Sequence, residues 1–253
     1  MNFQVRAVLL DIEGTVAPVD FVHKKMFPYV LNALDLFLQE AWETDELGEV
    51  LALLAADAGN SSVVEWLPTS SESQQQTFVA HHVRELMATD QKLTGLKQLQ
   101  GHIWKDGFDN GQLQAPLYPD VVPALTAWKN LGLELHIYSS GSVAAQKLFF
   151  GHTTEGDCLH LLSNHYDTKV GGKKEVASYQ AILTDLNRQS NQPIRPEDLL
   201  FLSDIPEELA AAQGAGLQAG LALRPGNTPV EQDHPFYEVS TFDTLTLSLP
   251  SSS

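Results

Sequence analysis

The sequence predicts an α/β protein: a parallel sheet wound with helices, with a helical segment inserted straight after the first strand. Three observations predict it. Short apolar runs that stop at polar residues alternate with helix-spaced segments from Pro119 onward. Residues 16–116 show helical spacing throughout and no convincing strand. The chain has 253 residues, 43% of them hydrophobic and 19% charged, enough for a sizeable core and one to two domains.

Residues 4–10 are short, rich in Val and Leu, and stop at Asp11-Ile12-Glu13-Gly14-Thr15, which reads as a buried strand. In the insertion, Phe27, Val30, Leu31, Leu34, Phe37 and Leu38 recur at helical spacing. So do Leu47, Val50, Leu51 and Leu54, then Phe78, Val79, Val83 and Leu86, then Leu93, Leu96, Leu99 and Ile103. Pro119 and Asp120 suit the first turn of a helix bearing Val121, Leu125 and Trp128, closed by Gly132. Strands follow at residues 133–138, 159–162, 198–202 and 219–223, separated by helices near 142–150, 174–187 and 207–214. The tail, 248–253, reads as frayed. Such alternation implies a parallel sheet, whose ligands bind at the carboxyl ends of the strands.

Charge narrows the partners. Fifteen Lys and Arg stand against 32 Asp and Glu, a formal net charge of -17, so polyphosphate backbones and anionic lipids are repelled. No nucleic-acid or membrane partner is expected, and any phosphate site needs local cations. The single cysteine, Cys158, has no intramolecular partner, and Val8–Leu10 runs straight into Asp11 with no signal-peptide form. These features read as a soluble, cytoplasmic protein, with a monomer the default.

The residues that carry chemistry sit at strand ends: Asp11 and Glu13, Ser139, Lys173 in a loop before a helix, and Asp204. Carboxylates without neighbouring His or Cys favour a hard ion such as Mg²⁺ over zinc. With a lysine, that ion would offset the acidic surroundings for a dianionic phosphate. Asp11 could attack phosphorus to give an aspartyl-phosphate, and Glu13 could protonate the leaving oxygen and then activate water. Any one such Asp also serves as an ordinary cap or turn residue; it is the set that points to chemistry.

Asp11-Ile12-Glu13-Gly14-Thr15, the strand ending in Ser139, Lys173 and Ser203-Asp204 resemble the four ordered motifs of the haloacid dehalogenase superfamily. The Asp-x-Glu form of the first motif resembles the enolase-phosphatase branch of methionine salvage. That likeness continues through Phe21-Val22-His23, Phe27-Pro28-Tyr29, residues 96–101 with Trp104, residues 138–143, 145–152 and 167–173, Tyr179, and Arg224-Pro225-Gly226-Asn227. The resemblance implies a Rossmann-like core of the haloacid dehalogenase type, residues 1–15 and 117–253, with a helical cap at 16–116. It implies conversion of 2,3-diketo-5-methylthiopentyl-1-phosphate, through an enol phosphate, to 1,2-dihydroxy-3-keto-5-methylthiopentene and phosphate. In that scheme Asp11 is the nucleophile and Glu13 the acid/base. Ser139 and Ser140 contact substrate, and Lys173 binds phosphate. Asp11, Asp204 and the main-chain carbonyl of Glu13 hold one Mg²⁺ per subunit, with Glu208 supporting that set from outside it. Relatives often carry His before the lysine; here it is Gly172, and Lys174 follows, so two lysines compete. The six-residue spacing to Tyr179 favours Lys173.

Other readings use fewer residues. A generic sugar-phosphate phosphatase of the same superfamily shares all four motifs. A phospho-acceptor signalling module puts its aspartate on a middle strand and carries no such insertion. His81-His82 and Cys158-x-His160 lack a second pair for zinc. Ser140-Gly141-Ser142 is no nucleophile elbow, and Gly171-Gly172-Lys173 lacks phosphate-loop spacing. Trp104 reads as core, while His23 and Lys24 suit a surface or a substrate-facing role equally.

Overall fold

The computed structural model describes residues 2–189, 192–231 and 233–250. Two compact units emerge, Met1–Val22 with Gln114–Ser253, and His23–Leu113. The chain changes unit at 22/23 and 113/114, not at 15/16 and 116/117. Val16 and Ala17 stay with the first unit because Gly14 N–H donates to the Ala17 carbonyl (2.8 Å) and Tyr118 N–H to that of Val16 (3.0 Å).

In the first unit, β1 (Asn2–Gln4) and β2 (Ala7–Leu10) replace the single expected strand. β2 is buried on both faces, as a central parallel strand must be. It is followed in this unit by α6 (Val121–Asn130), β3 (Glu134–Tyr138), α7 (Val143–Gly151), β4 (Asn164–Tyr166) and α8 (Val176–Gln189). Then come β5 (Leu199–Ser203), α9 (Pro206–Gly214), β6 (Gln218–Ala222), β7 (Tyr237–Val239) and β8 (Thr246–Ser248). Six strands form a parallel sheet in the order β4-β3-β2-β5-β6-β7, and β1 pairs with β8 separately. On one face Leu9, Tyr138, Phe201 and Leu221 pack with Tyr179, Ile182 and Leu186 of α8 and Leu209 of α9.

Strand order reverses at β2. Leu10 pairs with Ile137 of β3 on one side and Leu202 of β5 on the other, so Asp11 leaves the sheet at the switch point where ligands bind such folds.

Two expectations need correction. Residues 159–162 are a 3₁₀ turn, Leu159–Leu161, with the residue that ends it; the strand is the polar Asn164–Tyr166. Leu161 and Leu162 bury themselves from the turn, which imitates a strand in sequence. The tail is ordered through Ser248, whose carbonyl accepts from Val5 N–H (2.9 Å). Residues 251–253 lie outside the described residues.

The second unit is helical. A π-helical turn, Val22–Met26, enters α1 (Phe27–Ala41), which has Pro28 in its first turn. Then follow α2 (Asp45–Asp57), α3 (Val63–Trp66), α4 (Glu72–Ala88) and α5 (Thr94–Asp109). Thr44 caps α2, Ser62 caps α3, and Ser71 with Gln74 forms a capping box on α4. Leu34, Leu38, Leu54, Val79, Val83 and Leu99 are buried, as their spacing predicts. Gly95 lets α5 reach α2: an added Cβ would stand 2.7 Å from the Leu54 nitrogen. The Gly95 N–H donates to Asp57 (2.8 Å).

Candidate active site

Asp11, Ser139 and Asp204 each follow directly on a strand, β2, β3 and β5, so three neighbouring strand ends deliver them to one edge. Beyond Asp11 the chain folds back at once, because the Thr15, Val16 and Ala17 amides all donate to the Ile12 carbonyl. Gly14 makes this possible with φ +71°, and an added Cβ there would lie 2.3 Å from Asp204 Oδ2. Asp204 therefore packs directly against the Glu13-Gly14-Thr15 turn.

Lys173 reaches the same point from the loop before α8. Its ammonium lies 2.6 Å from Asp11 Oδ1 and 2.8 Å from Glu208 Oε2, and the side chain is 8% exposed. Lys174 is an exposed residue 3.7 Å from Glu207. Of the two competing lysines, Lys173 is the one that faces Asp11. The loop is held by Tyr179, whose hydroxyl donates to the Lys173 carbonyl (2.6 Å), and by Tyr138, whose hydroxyl donates to that of Gly171 (2.9 Å).

The other groups are tied in around this pair. Ile12 N–H donates to Asp11 Oδ1 (2.8 Å). The Ser203 hydroxyl donates to Glu208 (2.8 Å), with Asp11 Oδ2 at 3.4 Å. The Ser139 hydroxyl, buried, donates to Glu13 Oε2 (3.4 Å), while Ser140 is exposed. Gln146 fixes the loop beyond β3 by donating to the Gly141 and Tyr166 carbonyls (2.9 and 2.8 Å). Ser203, Gln146, Tyr138 and Asp167 fall within the matching stretches, but the sequence assigned them no role. Each is identified by its hydrogen bond, and Asp167 accepts from Val143 and Lys169 N–H groups.

The electrostatics follow from four carboxyl groups, Asp11, Glu13, Asp204 and Glu208, sharing the Lys173 ammonium. Burial, then the charge of Asp11, raises Glu13. The same two causes push Asp204 up to about 7 and also raise Glu208. Burial opposes the charge on Lys173, but Asp11 and Glu208 outweigh it and keep it protonated.

This donor set fits a hard dication. Its atoms are oxygens, its negative charge exceeds the ammonium beside it, and the raised carboxyls show that the excess is uncompensated. Among the described residues no three His, Cys, Asp or Glu side chains form a metal cage. The expected ligand set asks for only two, Asp11 and Asp204, plus the main-chain carbonyl of Glu13.

The weaker candidates resolve separately. Trp104 is buried and donates to the Met26 carbonyl (3.0 Å), so it is core. His23 is exposed against Phe27. His81 pairs with Glu85, His82 packs on Trp66, and Cys158 is buried as a free thiol. A cavity of about 490 Å³ beside Gln4, Arg195, Asp198 and Gln218 lies at the amino ends of the strands, away from Asp11.

A parallel sheet with an acidic turn at its switch point, a buried lysine and an acidic strand end define a hydrolase class. The model of the haloacid dehalogenase-like hydrolases matches residues 5–216, and the chain belongs to that family. Within it, the chain is 42% identical over 233 residues to the enolase-phosphatase E1 of Drosophila mojavensis, covering 92% of this chain and 91% of that one. It is 41% identical over 241 residues to the enolase-phosphatase E1 of Aquifex aeolicus, covering 95% and 99%. The crystal structure of the UTR4 protein of Saccharomyces cerevisiae superposes with TM-score 0.77 at 34% identity, covering 96% of this chain and 100% of that one.

Proposed function

We propose that the chain is an enolase-phosphatase that converts 2,3-diketo-5-methylthiopentyl-1-phosphate to 1,2-dihydroxy-3-keto-5-methylthiopentene and phosphate in methionine salvage. The observation that carries the reading is the joining of Asp11, Lys173 and Glu208 at the switch point, with Glu13 on the same turn. The near-full-length likeness to enolase-phosphatases E1 supports the substrate.

Enolisation comes first: C1 loses a proton and the C2 oxygen gains one. Asp11 then attacks phosphorus, so an O–P bond to its carboxylate forms as the ester O–P bond breaks. Glu13, whose protonated form burial favours, would deliver a proton to the leaving oxygen. As a carboxylate it then takes a proton from the water that hydrolyses the aspartyl-phosphate, which frees phosphate and restores Asp11. Lys173 stabilises charge on the phosphoryl oxygens. Ser139 orients Glu13 and, with Ser140, contacts substrate.

Asp11, Asp204 and the Glu13 carbonyl would hold one Mg²⁺, with Glu208 steadied behind them by Ser203 and Lys173. When bound, the ion supplies positive charge to the phosphoryl oxygens and polarises the C2 carbonyl. We read the enzyme as a cytoplasmic monomer acting on a small phosphorylated substrate. The -17 charge supports the absence of nucleic-acid and membrane partners, and among the described residues no helix is long and apolar enough to cross a membrane.

The test is to incubate the purified chain with the diketo phosphate and Mg²⁺ while following enol absorbance and phosphate together. Both signals are expected. Phosphate without the enol product would return the chain to a generic phosphatase, and neither signal would remove the reading.

A further inference from the structure

The turn that carries Asp11 and Glu13 is gripped from outside. Asn227, in the loop after β6, donates one amide proton to the Gly14 carbonyl (2.9 Å) and the other to the Ala222 carbonyl at the end of β6 (3.0 Å). Arg224 donates from Nε to the Thr15 carbonyl (3.0 Å) and from Nη1 to Asp120 (2.7 Å) and the Ser240 carbonyl (3.1 Å). Its guanidinium lies over the Tyr118 and Phe242 rings, 4.8 and 4.4 Å from their centroids. Asp120 is anchored in turn by the Phe242 N–H (2.6 Å). The Tyr118 hydroxyl donates to the Pro225 carbonyl (3.2 Å). Arg224 is 6% exposed, so this is an interior structure rather than a surface pair.

These contacts act on main-chain orientation. The Gly14 N–H donates to the Ala17 carbonyl, and across a trans amide the Glu13 carbonyl must point the opposite way. Gly14 has no Cβ and sits at positive φ, so its flanking peptide planes turn more easily than those of other residues. Holding the Gly14 and Thr15 carbonyls removes that freedom. Asn227 does so although its own Oδ1 is left buried without a hydrogen-bond partner among the described residues.

We propose that Asn227 and Arg224 are positioning residues that fix the orientation of the Glu13 carbonyl, the main-chain member of the cation site. The proposal rests on the reading of that carbonyl as an Mg²⁺ ligand. Its consequence is that loosening the clamp weakens cation binding before it weakens anything else.

The experiment compares full-length parent, Asn227→Ala and Arg224→Lys by calorimetric titration with Mg²⁺ alone and by urea unfolding without metal. Asn187→Ala is the control. Asn187, in the last turn of α8, likewise makes two hydrogen bonds to the main chain, accepting from the Ile194 N–H (2.7 Å) and donating to the Ile194 carbonyl (2.9 Å), and neither touches the turn that carries Asp11. Asn227→Ala is expected to raise the Mg²⁺ dissociation constant about 10–100-fold, the usual effect of losing a group that orients a ligand. At saturating Mg²⁺ its KM for substrate should stay near the parent value. Asn187→Ala should lose stability and keep parental Mg²⁺ affinity. If Asn227→Ala does not fold, Arg224→Lys, which retains charge against Asp120, should show the same loss of affinity. A parent that binds Mg²⁺ alongside a folded clamp variant within about threefold of it overturns the clamp alone. A parent that binds no Mg²⁺ overturns the cation reading, and the clamp with it.

Discussion

Lys173→Met removes the ammonium, which lies 5.9 Å from the Tyr138 ring centroid, and keeps a side chain of similar length. The amine makes two charge-assisted contacts, at 2.6 Å to Asp11 and 2.8 Å to Glu208. Hydrogen bonds to charged groups contribute about 1.5–3 kcal/mol each. Two such interactions, redirected in part to phosphoryl oxygens in the complex, amount to roughly 3–6 kcal/mol, or about 10²–10⁴-fold in kcat/KM. Because the charge helps the bound state and helps the transition state more, KM should rise and kcat fall together. Lys174→Met breaks only an exposed pair with Glu207, worth about 0–1 kcal/mol to stability, and should leave phosphate release near parental. Steady-state phosphate release across a substrate series at saturating Mg²⁺ measures both parameters. If Lys174→Met proves the more damaging change, or if Lys173→Met stays within about threefold of the parent, the assignment of the phosphate cation is wrong.

Asp11→Asn should abolish phosphate release with the fold intact. Because enolisation does not need attack by Asp11, it should still exchange the C1 hydrogen with deuterated water once Mg²⁺ titration shows the site filled; loss of that exchange would assign Asp11 to both steps. Chelation should silence phosphate release and Mg²⁺ restore it, whereas Ca²⁺, which accepts more ligands at longer distances, should inhibit; full activity after exhaustive chelation would exclude a required ion. The imidazole of His136, in β3, is fully buried; among the described residues neither ring nitrogen is hydrogen-bonded, Glu134 Oε2 stands 3.6 Å from Nε2, and burial lowers the group to about 3. Its folded value lies below its unfolded one, so its contribution is present above pH 6.5 and is lost as pH falls, by about 2 kcal/mol at pH 5. Urea unfolding at pH 7 and 5 should show a smaller loss for His136→Phe than for the parent, and equal losses would refute this.

The sequence by itself determined the alternation of strands and helices around β2, β3, β5 and β6 and the identity of the chemical groups, but not β4, β7 or β8. Apolar runs that end at Asp11, Ser139 and Asp204 mark strand ends because a strand buried on both faces must be apolar and its exit can be polar. The helical unit was legible from spacing alone, since Leu34, Leu38, Val50, Leu54, Val79 and Val83 bury as their period requires. β4 was not, because Asn164-His165-Tyr166 is a short polar edge strand beside a turn that buries its leucines. Spacing to Tyr179 favoured Lys173 over Lys174. Only the tertiary structure decided it, since the choice depends on which ammonium meets Asp11, from a segment distant in the chain. The same holds for Ser203, Arg224 and Asn227, whose hydrogen bonds join β5 and the loop after β6 to the turn at Asp11–Thr15. Local periodicity records what a residue buries. It carries no record of which distant carbonyl or carboxylate that residue will meet, and the reversal of strand order at β2 is what brings them together.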